Sequence, residues 1–491
     1  MKWLRIDAGR RPLQEGVTLT GITLALGLVG RALSENMGEA GALFSAWLCV
    51  AVLAWMVLRP PAHIGAERFV FLALWLEQPE FVPGAGYWTS PLEAPDAAMF
   101  ARMTELKVPG GSFPFALVLS ALLWRKARAG ARAQWSLQGF KLARSAYLTL
   151  GAGLVVALCV GAAREGANSQ HGFAQLLPLL LSVVEGLALL AALGTQASLT
   201  ALGTFVVLAA VLRAALAAWV YFVVCGPQGV TPEYATHHAD TVTFVAALGV
   251  LACVWVERNA KRDLVRALGI GALILAGIVF NNRRVAYASG AFGALSAFLL
   301  MAHSRTKKKL IRYVAFGVPA LLGYLDLGKD SEAPMFKPAR LVWSMFDQKD
   351  ASTASRDIEN LNLIKTISDA PVFGSGFGHP YREYAASVDV SEFLAGYQYH
   401  PHNTVLGLLQ YGGIVGFALL WWPRIAQGLL AARAHRAAQT PMLKTAALWS
   451  AWCLGVTLTL EWGDQGTAMQ PCIVITALAM LCGARAHEQI E

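Results

Sequence analysis

Long runs of apolar residues alternate with short polar segments along most of the chain. A helix needs about 20 apolar residues to cross a bilayer, and most of the runs are close to that length. Two runs, at 69–82 and 112–124, are shorter. Counting both, the pattern predicts about fourteen spans, with the others near 14–33, 40–58, 141–160, 173–193, 198–225, 240–256, 267–280, 285–302, 310–327, 403–422, 444–460 and 469–483.

Basic residues collect in four of the short connections between these runs. They are Arg125, Lys126, Arg128 and Arg132; Arg258, Lys261, Arg262 and Arg266; Arg305 and Lys307 to Lys309; and Arg424, Arg433 and Arg436. With fourteen spans, all four clusters fall on one side together with both termini. The positive-inside rule assigns that side to the cytoplasm. The segments predicted outside are then 84–111, 161–172, 226–239, 281–284, 328–402 and 461–467.

The composition is that of a membrane protein, and it argues against a nucleic-acid-binding protein, a disulfide framework and a cysteine zinc site. Of the 491 residues, 56% are hydrophobic and 14% charged, whereas soluble domains carry about a quarter charged residues. The net charge of +9 does not indicate nucleic-acid binding, because the basic residues lie in the loops that the positive-inside rule explains. The seven cysteines form no C-x-x-C motif and predict neither a disulfide framework nor a zinc site. No linker divides the chain, so residues 1–491 are predicted to form a single polytopic domain.

The largest external segment, 328–402, is the only one long enough to hold structure of its own. Ser355 is a plausible helix N-cap and Pro371 a stop, which predicts an amphipathic helix over 355–370 on the membrane face of the protein. Its apolar positions recur at helical spacing, at Ile358, Leu361, Ile364 and Ile367. Arg356 would then lie in the first turn, where the helix dipole disfavours a cation. That placement suggests a separate role for Arg356, with an ordinary salt bridge as the alternative.

Several short motifs follow one another from residue 282 onwards. They are Asn282-Arg283-Arg284-Val285-Ala286 at the outer start of a span, Arg356 in the large loop, Pro371 with Gly374, Gly376 and Gly378, the pair His402-Asn403 at the start of a span, and Gly412-Gly413-Ile414-Val415-Gly416. In order, spacing and sidedness this set resembles the O-antigen ligase and O-antigen polymerase superfamily of bacterial membrane glycosyltransferases. The resemblance covers roughly residues 265–422. Asn282 stands where the family has Ser, which leaves the choice between Arg283 and Arg284 open.

The resemblance implies a fold and an activity. The fold would be an all-α integral membrane protein of about 12–14 helices, GT-C-like, with a large periplasmic loop containing short helices. It would lie in the bacterial inner membrane. The activity would be transfer of a glycan from undecaprenyl diphosphate to a glycan or lipid A-core acceptor, with inversion at the sugar carbon. The expected partners are these substrates and the lipid bilayer, with a polysaccharide chain-length regulator as a further candidate. No cofactor is expected.

The residue chemistry is compatible with that activity. Arg284 and His402 each open a span on the predicted outer side, where helix N-termini favour an anion. Guanidinium groups of Arg284, Arg356 or Arg283 would hold a diphosphate and stabilise it as it departs. His402 would accept the proton of the acceptor hydroxyl. The sequence contains no D-x-D motif for a metal, and arginines could neutralise the leaving group without one. Gly376, Gly378, Asn403, Gly412 and Gly413 are expected to shape the site.

Each assignment has a structural alternative. An arginine at a span boundary is commonly an interfacial anchor, and a histidine in a loop is commonly solvated, which is the expectation for His400 and His379. These two with His402 could instead ligate zinc, although the spacing matches no common site. Glu185 and Arg213 lie within apolar runs, and a buried pair between them is the favoured interpretation over a functional role. Glu461 and Asp464 could orient an acceptor or could be solvated helix ends.

Three functions remain open at this point. A polymerase would join lipid-linked chains, and the higher span count slightly favours it. A ligase would transfer the finished chain to lipid A-core. A flippase or transporter for polyprenyl-linked glycans would also need cations in the membrane, but along a path crossing the bilayer, often with paired repeats. In this chain the polar motifs gather on one predicted face.

Overall fold

The computed structural model is a bundle of long helices. It describes residues 6–58, 65–76, 106–108, 111–113, 120–121, 123–125, 135–193, 199–229, 232, 234–237, 239–344, 351–386, 396–464 and 466–488. The helices are α1 Ile6–Leu58, α2 Gly65–Trp75, α3 Gln138–Ala163, α4 Ser169–Leu193, α5 Leu199–Trp219, α6 Asp240–Arg258, α7 Lys261–Asn281, α8 Arg284–Leu300, α9 Arg305–Gly328, α10 Lys337–Ser344, α11 Ala351–Asp369, α12 Thr404–Ala437, α13 Pro441–Gly463 and α14 Gln470–His487. A π-helical turn, Val220–Cys225, extends α5.

Within these described ranges, nine helices are long and apolar enough to cross a membrane. They are the first part of α1, α3 to α7, α9, α12 and α13. Helices also occupy the predicted spans at 40–58, 285–302 and 469–483, although α8 has 17 residues. In the predicted span 69–82, α2 covers the residues up to Trp75, and 77–82 lie outside the described residues. The prediction of an all-helical membrane protein is confirmed.

One predicted span does not begin as a helix. Strands β1 (Leu106–Val108) and β2 (Gly111–Phe113) pair antiparallel, with Leu106 opposite Phe113. The expected span 112–124 therefore starts on a strand, and helical residues are described only at 120–121 and 123–125. The Gly-Gly pair that follows Pro109 suits a hairpin turn better than a helix start, and 114–119 lie outside the described residues.

The first helical run folds back on itself. Gly38 interrupts α1 with φ 56° and ψ −138°. Arg68 of α2 donates to the carboxylate of Glu15 (3.0 Å) and to the carbonyl oxygen of Met56 (2.9 Å). Because one guanidinium reaches both halves of α1, these halves return to the same end of the bundle. They correspond to the predicted spans 14–33 and 40–58.

Close approach between helices forms the core around α3, α12, α13 and α14. Tyr147 of α3 fills the space beside Gly186 of α4, where a Cβ atom would lie 2.2 Å from its ring. Gly455 of α13 lies against the backbone of α8, so that a Cβ atom would come 2.2 Å from the carbonyl oxygen of Phe292. Small residues allow such packing between membrane helices, where burial of apolar surface gives little drive for association. By contrast, residues 311–323 of α9 are all exposed.

The two charges predicted to pair inside the bundle have other partners. Arg213 of α5 donates from Nε to the Asp240 carboxylate at 2.6 Å, and both side chains are fully buried. Glu185 of α4 accepts from the side-chain amide of Gln470 at 2.6 Å. The expected Glu185–Arg213 pair was therefore wrong. Asp240 opens α6 beside Arg213, and a charged partner stabilises a buried guanidinium better than a distant carboxylate can.

The segments predicted outside meet at one end of the bundle. The amide of Ala235 donates to the carbonyl oxygen of Phe280 (3.1 Å), and the amide of Asn168 donates to that of Gly378 (2.8 Å). At the opposite end, the amide of Ala302 donates to His435 Nδ1 (3.0 Å). The segment between α9 and α12 lies at the first end, which holds the candidate site.

Candidate active site

Helix α12 is two helices joined at a sharp break. Gly413 has φ 56° and ψ −162°, a conformation that L-residues with a side chain rarely adopt. After the break, the amides of Ile414 and Val415 donate to the carbonyl oxygens of Pro371 (2.9 Å) and Val372 (3.1 Å). The backbone donors that begin the second helix are thus satisfied by the loop. The predicted span at 403–422 is therefore a short opening helix followed by the long one.

The glycine segment at 374–378 is wedged between three helices. The amide of Ser375 donates to the carbonyl oxygen of Gln410 (2.7 Å), and that of Phe377 donates to Ala157 of α3 (3.1 Å). Gln175 of α4 accepts from the amide of Gly378 at 2.7 Å. Gly376 has φ 82°, and a Cβ atom there would lie 2.0 Å from the backbone nitrogen of Gly161.

The remaining glycines differ in what they require. Gly374 and Gly378 also have positive φ, whereas at Gly412 a Cβ atom would approach the Phe417 nitrogen to 3.1 Å. These residues hold the loop against the bundle, and their role in shaping a site stays a prediction.

The helix of the large loop begins earlier than predicted, and part of its apolar stripe is not covered by the protein. α11 starts at Ala351, so Ser355 lies inside it and is not its N-cap. Leu361 and Ile364, two of the predicted apolar stripe, are 44% and 54% exposed. The buried face is mainly polar and consists of Glu359, Asn362, Leu363 and Thr366.

That polar face holds loop backbone, which explains its composition. The Asn362 side chain accepts from the amides of Tyr384 (2.9 Å) and Ala385 (2.8 Å) and donates to the carbonyl oxygen of Ala385 (2.8 Å). Thr366 accepts from the amide of Arg382 at 2.9 Å. Backbone groups without regular secondary structure need such partners when they are buried, so polar residues are selected on the inward face of α11.

His402 and Glu359 form the central pair of the site. The Glu359 carboxylate accepts from the backbone amide of His402 (2.6 Å) and lies 2.9 Å from Nδ1 of its ring. The Glu359 side chain is 10% exposed and that of His402 is 43% exposed. A carboxylate on Nδ1 holds a proton there in the neutral ring. Nε2 is then left as a proton acceptor, with no hydrogen bond to any described residue.

The neighbouring residues extend this pair. Asn403 donates to the side-chain oxygen of Asn360 (3.1 Å) and caps α12 by accepting from the amide of Leu406 (3.1 Å). Arg356 is exposed and lies one turn before Glu359 on α11. Among the described residues it has neither a hydrogen bond nor an ion pair. Arg356 and Glu359 therefore lie on α11, and His402 and Asn403 lie just before α12. The contact between Glu359 and His402 joins the two helices.

Arg283 and Arg284 lie at the same end of the bundle but outside that pair. Nη1 of Arg284 donates to the carbonyl oxygen of Ser344, the last residue of α10, at 3.2 Å. The guanidinium of Arg283 lies over the ring of Tyr234, 3.6 Å from its centroid. Neither arginine hydrogen-bonds to His402 or Glu359. The two arginines thus face different neighbours, Arg284 towards the segment that leads into α11.

His400 was expected to be solvated, and the structure corrects this. It is half-buried and lies 5.7 Å from His171 of α4, which stacks on Tyr399 at 4.0 Å. Burial, with a smaller contribution from His171, lowers the pKa of His400. His400 lines a cavity of about 60 Å³, together with Gln175 and Tyr411.

The zinc site considered for His379, His400 and His402 is not supported by the structure. His379 Nε2 lies 3.2 Å from the carbonyl oxygen of Gly161, away from the His402 pair. Over the part of the chain that the structure describes, no group of three or more His, Cys, Asp or Glu side chains could hold a metal ion.

Arg424 and Glu461 form a buried pair below the site. Arg424 was expected to mark a cytoplasmic loop, but it lies within α12 and is 15% exposed, and it donates to Glu461, which is 1% exposed. The two border a cavity of about 20 Å³ with Tyr147. Glu461 therefore packs with another charge, while Asp464 follows the last residue of α13.

Sequence reasoning missed Glu359 as the partner of His402. The sequence carries little signal for this contact, because the two residues lie 43 positions apart and meet only in the folded protein. It also missed Gln175, which lies 203 residues from Gly378 in sequence.

A comparison with known families agrees with the motif order. Residues 238–421, from α6 to the first half of α12, match the family model described as O-antigen ligase. No curated protein matches the chain. The match supports the O-antigen ligase and polymerase superfamily, so the resemblance deduced from the motifs is confirmed.

Proposed function

We propose that the protein, whose residues 238–421 match the family model described as O-antigen ligase, is an inverting, metal-independent glycosyltransferase. It moves an oligosaccharide or polysaccharide from undecaprenyl diphosphate to an acceptor hydroxyl. The observation that carries the proposal is the pair of an exposed His402 ring and a buried Glu359 carboxylate, 2.9 Å apart.

In this mechanism His402 is the general base. Nε2 takes the proton of the acceptor hydroxyl while the acceptor oxygen bonds to the anomeric carbon of the donor sugar. The bond from that carbon to the phosphate oxygen breaks, and undecaprenyl diphosphate leaves with its electron pair. Attack from the face opposite the leaving group inverts the anomeric carbon. Glu359 keeps the proton on Nδ1 and stabilises the imidazolium that forms.

Arginines bind the diphosphate. Arg356 supports this role best, since it is exposed, has no partner among the described residues and lies one turn from Glu359. A planar guanidinium can fork onto two phosphate oxygens. Arg284 contributes from the end of α10, and Arg283, stacked on Tyr234, is assigned the smaller share.

The site faces the periplasm in this proposal, and residues 328–402 form the periplasmic loop that contributes it. The enzyme lies in the inner membrane with both termini in the cytoplasm. A reporter that is active only in the cytoplasm, fused after Arg436, is expected to be active, while the same reporter after Glu332 is silent. Activity after Glu332 would place the site on the wrong side.

A polymerase is favoured over a ligase on the span count that the apolar pattern of the sequence predicts. Deleting the gene separates them. Single repeats on lipid A-core indicate a lost polymerase, whereas bare core with long chains on the lipid carrier indicates a lost ligase. A flippase, the candidate of a different class, predicts that the lipid-linked donor accumulates on the cytoplasmic face instead.

The chemical step is tested by His402→Ala. We expect turnover to fall by roughly 10²–10⁴-fold, with donor binding retained because the arginines hold the diphosphate. The purified variants are assayed for product and, separately, for binding of the lipid-linked donor.

His400→Ala is the comparison variant. His400 lies two residues from His402 and lines the cavity that Gln175 and Tyr411 also border. The variant should retain turnover, with its melting temperature measured to account for the buried ring. Normal turnover in His402→Ala would remove His402 from the chemistry. Loss of donor binding in that variant would make His402 a diphosphate ligand and leave the base elsewhere. Wild-type activity should survive chelators.

A further inference from the structure

A large apolar cavity among the described residues lies at the end of the bundle opposite the candidate site. It has a volume of about 360 Å³ and is bordered by α1, α5, α6 and α7. Its walls are almost entirely aliphatic, including Val207, Leu208, Val254 and Ile270. The proposed glycosyl transfer does not use it.

Charged residues occur at one end of this cavity only. Arg258 is the last residue of α6, and Asp263 and Arg266 lie in the first turns of α7. Arg258 pairs with Asp263 at 3.5 Å. Arg266 is half-exposed and has no hydrogen bond or ion pair among the described residues. The charged end of the cavity therefore carries one basic side chain, that of Arg266, with no acidic partner among the described residues.

The length of the cavity along α7 matches the thickness of one leaflet of a bilayer. The lining residues of α7 extend from Asp263 to Leu273, which at 1.5 Å per residue spans about 15 Å. Half of a hydrocarbon core of about 30 Å is the same length. An aliphatic groove as deep as one leaflet, with a cation at its interfacial end, matches an acyl chain joined to a phosphate.

We propose that this groove binds an anionic glycerophospholipid of the leaflet on that side. One acyl chain lies along Val207, Val254 and Ile270, and the phosphate lies against Arg266. The lipid bridges α5, α6 and α7, and so occupies a space that the helices leave open. Juxtamembrane basic residues attract anionic lipids, and the apolar lining supplies the rest of the binding.

Native mass spectrometry of the purified protein in detergent tests the proposal. Dioleoyl phosphatidylglycerol and dioleoyl phosphatidylcholine, which share their acyl chains, are titrated separately. We expect phosphatidylglycerol to bind more tightly, and Arg266→Ala to weaken it by about five- to tenfold. Val207→Phe, which fills the groove, should weaken both lipids.

Matched controls make the result specific. Arg262→Ala removes the same charge one helical turn away, at a position outside the groove, and Val265→Phe adds the same ring at a residue of α7 that is 69% exposed. Neither should change binding, and melting temperatures confirm that all four variants fold. Equal loss in Arg262→Ala and Arg266→Ala, or equal binding of the two lipids, would overturn the proposal. Displacement by an equimolar polyprenyl diphosphate would assign the groove to that carrier and also overturn it.

Discussion

Polar groups are buried in two regions of this protein, and they are arranged differently in each. Inside the bundle, Arg213 and Asp240 are both fully buried, and Arg424 and Glu461 are nearly so. At the site, Glu359 is buried while the ring of His402 is 43% exposed. A pair that is buried on both sides joins helices and cannot reach a substrate. A buried carboxylate that orients an exposed ring can act on one.

The apolar residues show the same contrast. In the bundle, aliphatic faces turn inward, as at Leu189 and Val474. In α11, polar residues turn inward and Leu361 and Ile364 turn outward. The difference arises because bundle helices pack against side chains, whereas α11 packs against loop backbone that needs hydrogen bonds. Variants in the two regions should therefore fail in different ways.

The largest effect is expected from breaking a buried pair in the bundle. Arg424→Ala leaves Glu461 buried without its partner, which should cost about 3–5 kcal/mol of stability. Arg433→Ala, on an exposed position of the same helix, is the control. Thermal unfolding in detergent measures both. If the two variants have the same melting temperature, the ion pair between Arg424 and Glu461 does not stabilise the bundle.

The second-largest effect is expected from a substitution on the inward face of α11. Leu363→Ala removes a fully buried side chain and should destabilise the loop by about 2–5 kcal/mol, whereas Leu361→Ala should change it by less than about 0.5 kcal/mol. Hydrogen exchange of residues 381–386 reports the local effect. A larger effect from Leu361 would show that Leu361, and not Leu363, packs against the protein interior.

A smaller effect, mainly on rate, should follow from Glu359→Gln. The variant keeps one oxygen acceptor where Glu359 offers two to His402, and it loses the charge that stabilises the imidazolium. Turnover should therefore fall about 10- to 100-fold, as for a charged hydrogen bond of about 1.5–3 kcal/mol. Asp357→Asn, exposed on the same helix, should have normal turnover. An equal loss in both would point to helix charge in general. An unchanged kcat in Glu359→Gln would remove its positioning role.

The smallest effect concerns pH. Burial lowers the pKa of His400, so its neutral form is favoured in the folded protein. As the pH falls below the unfolded value of about 6.5, the unfolded state takes up the proton first, and stability is lost until the folded pKa is reached. His400→Gln cannot titrate, so its melting temperature should fall less between pH 6.5 and 5. An equal fall in melting temperature in both proteins would show that folding does not lower the pKa of His400.

Much of the site could be anticipated because its residues are close in sequence to helix ends. His402 and Asn403 open α12, and Gly376 and Gly413 have the positive φ that only glycine adopts easily. The role of Glu359 could not be anticipated, since it follows from where α11 begins. Helix boundaries depend on tertiary contacts as well as on capping residues.

The sequence by itself determined the membrane class, most of the spans and the family resemblance, because apolar length and motif order are local properties of the chain. Tertiary structure decided which partner each buried charge has. Arg213 lies with Asp240, Glu185 with Gln470, and Arg424 with Glu461. It also turned α11 polar side inward and set His402 against Glu359. These pairings depend on how helices far apart in sequence come to lie together, and a buried charge takes whichever partner that packing places within hydrogen-bond distance.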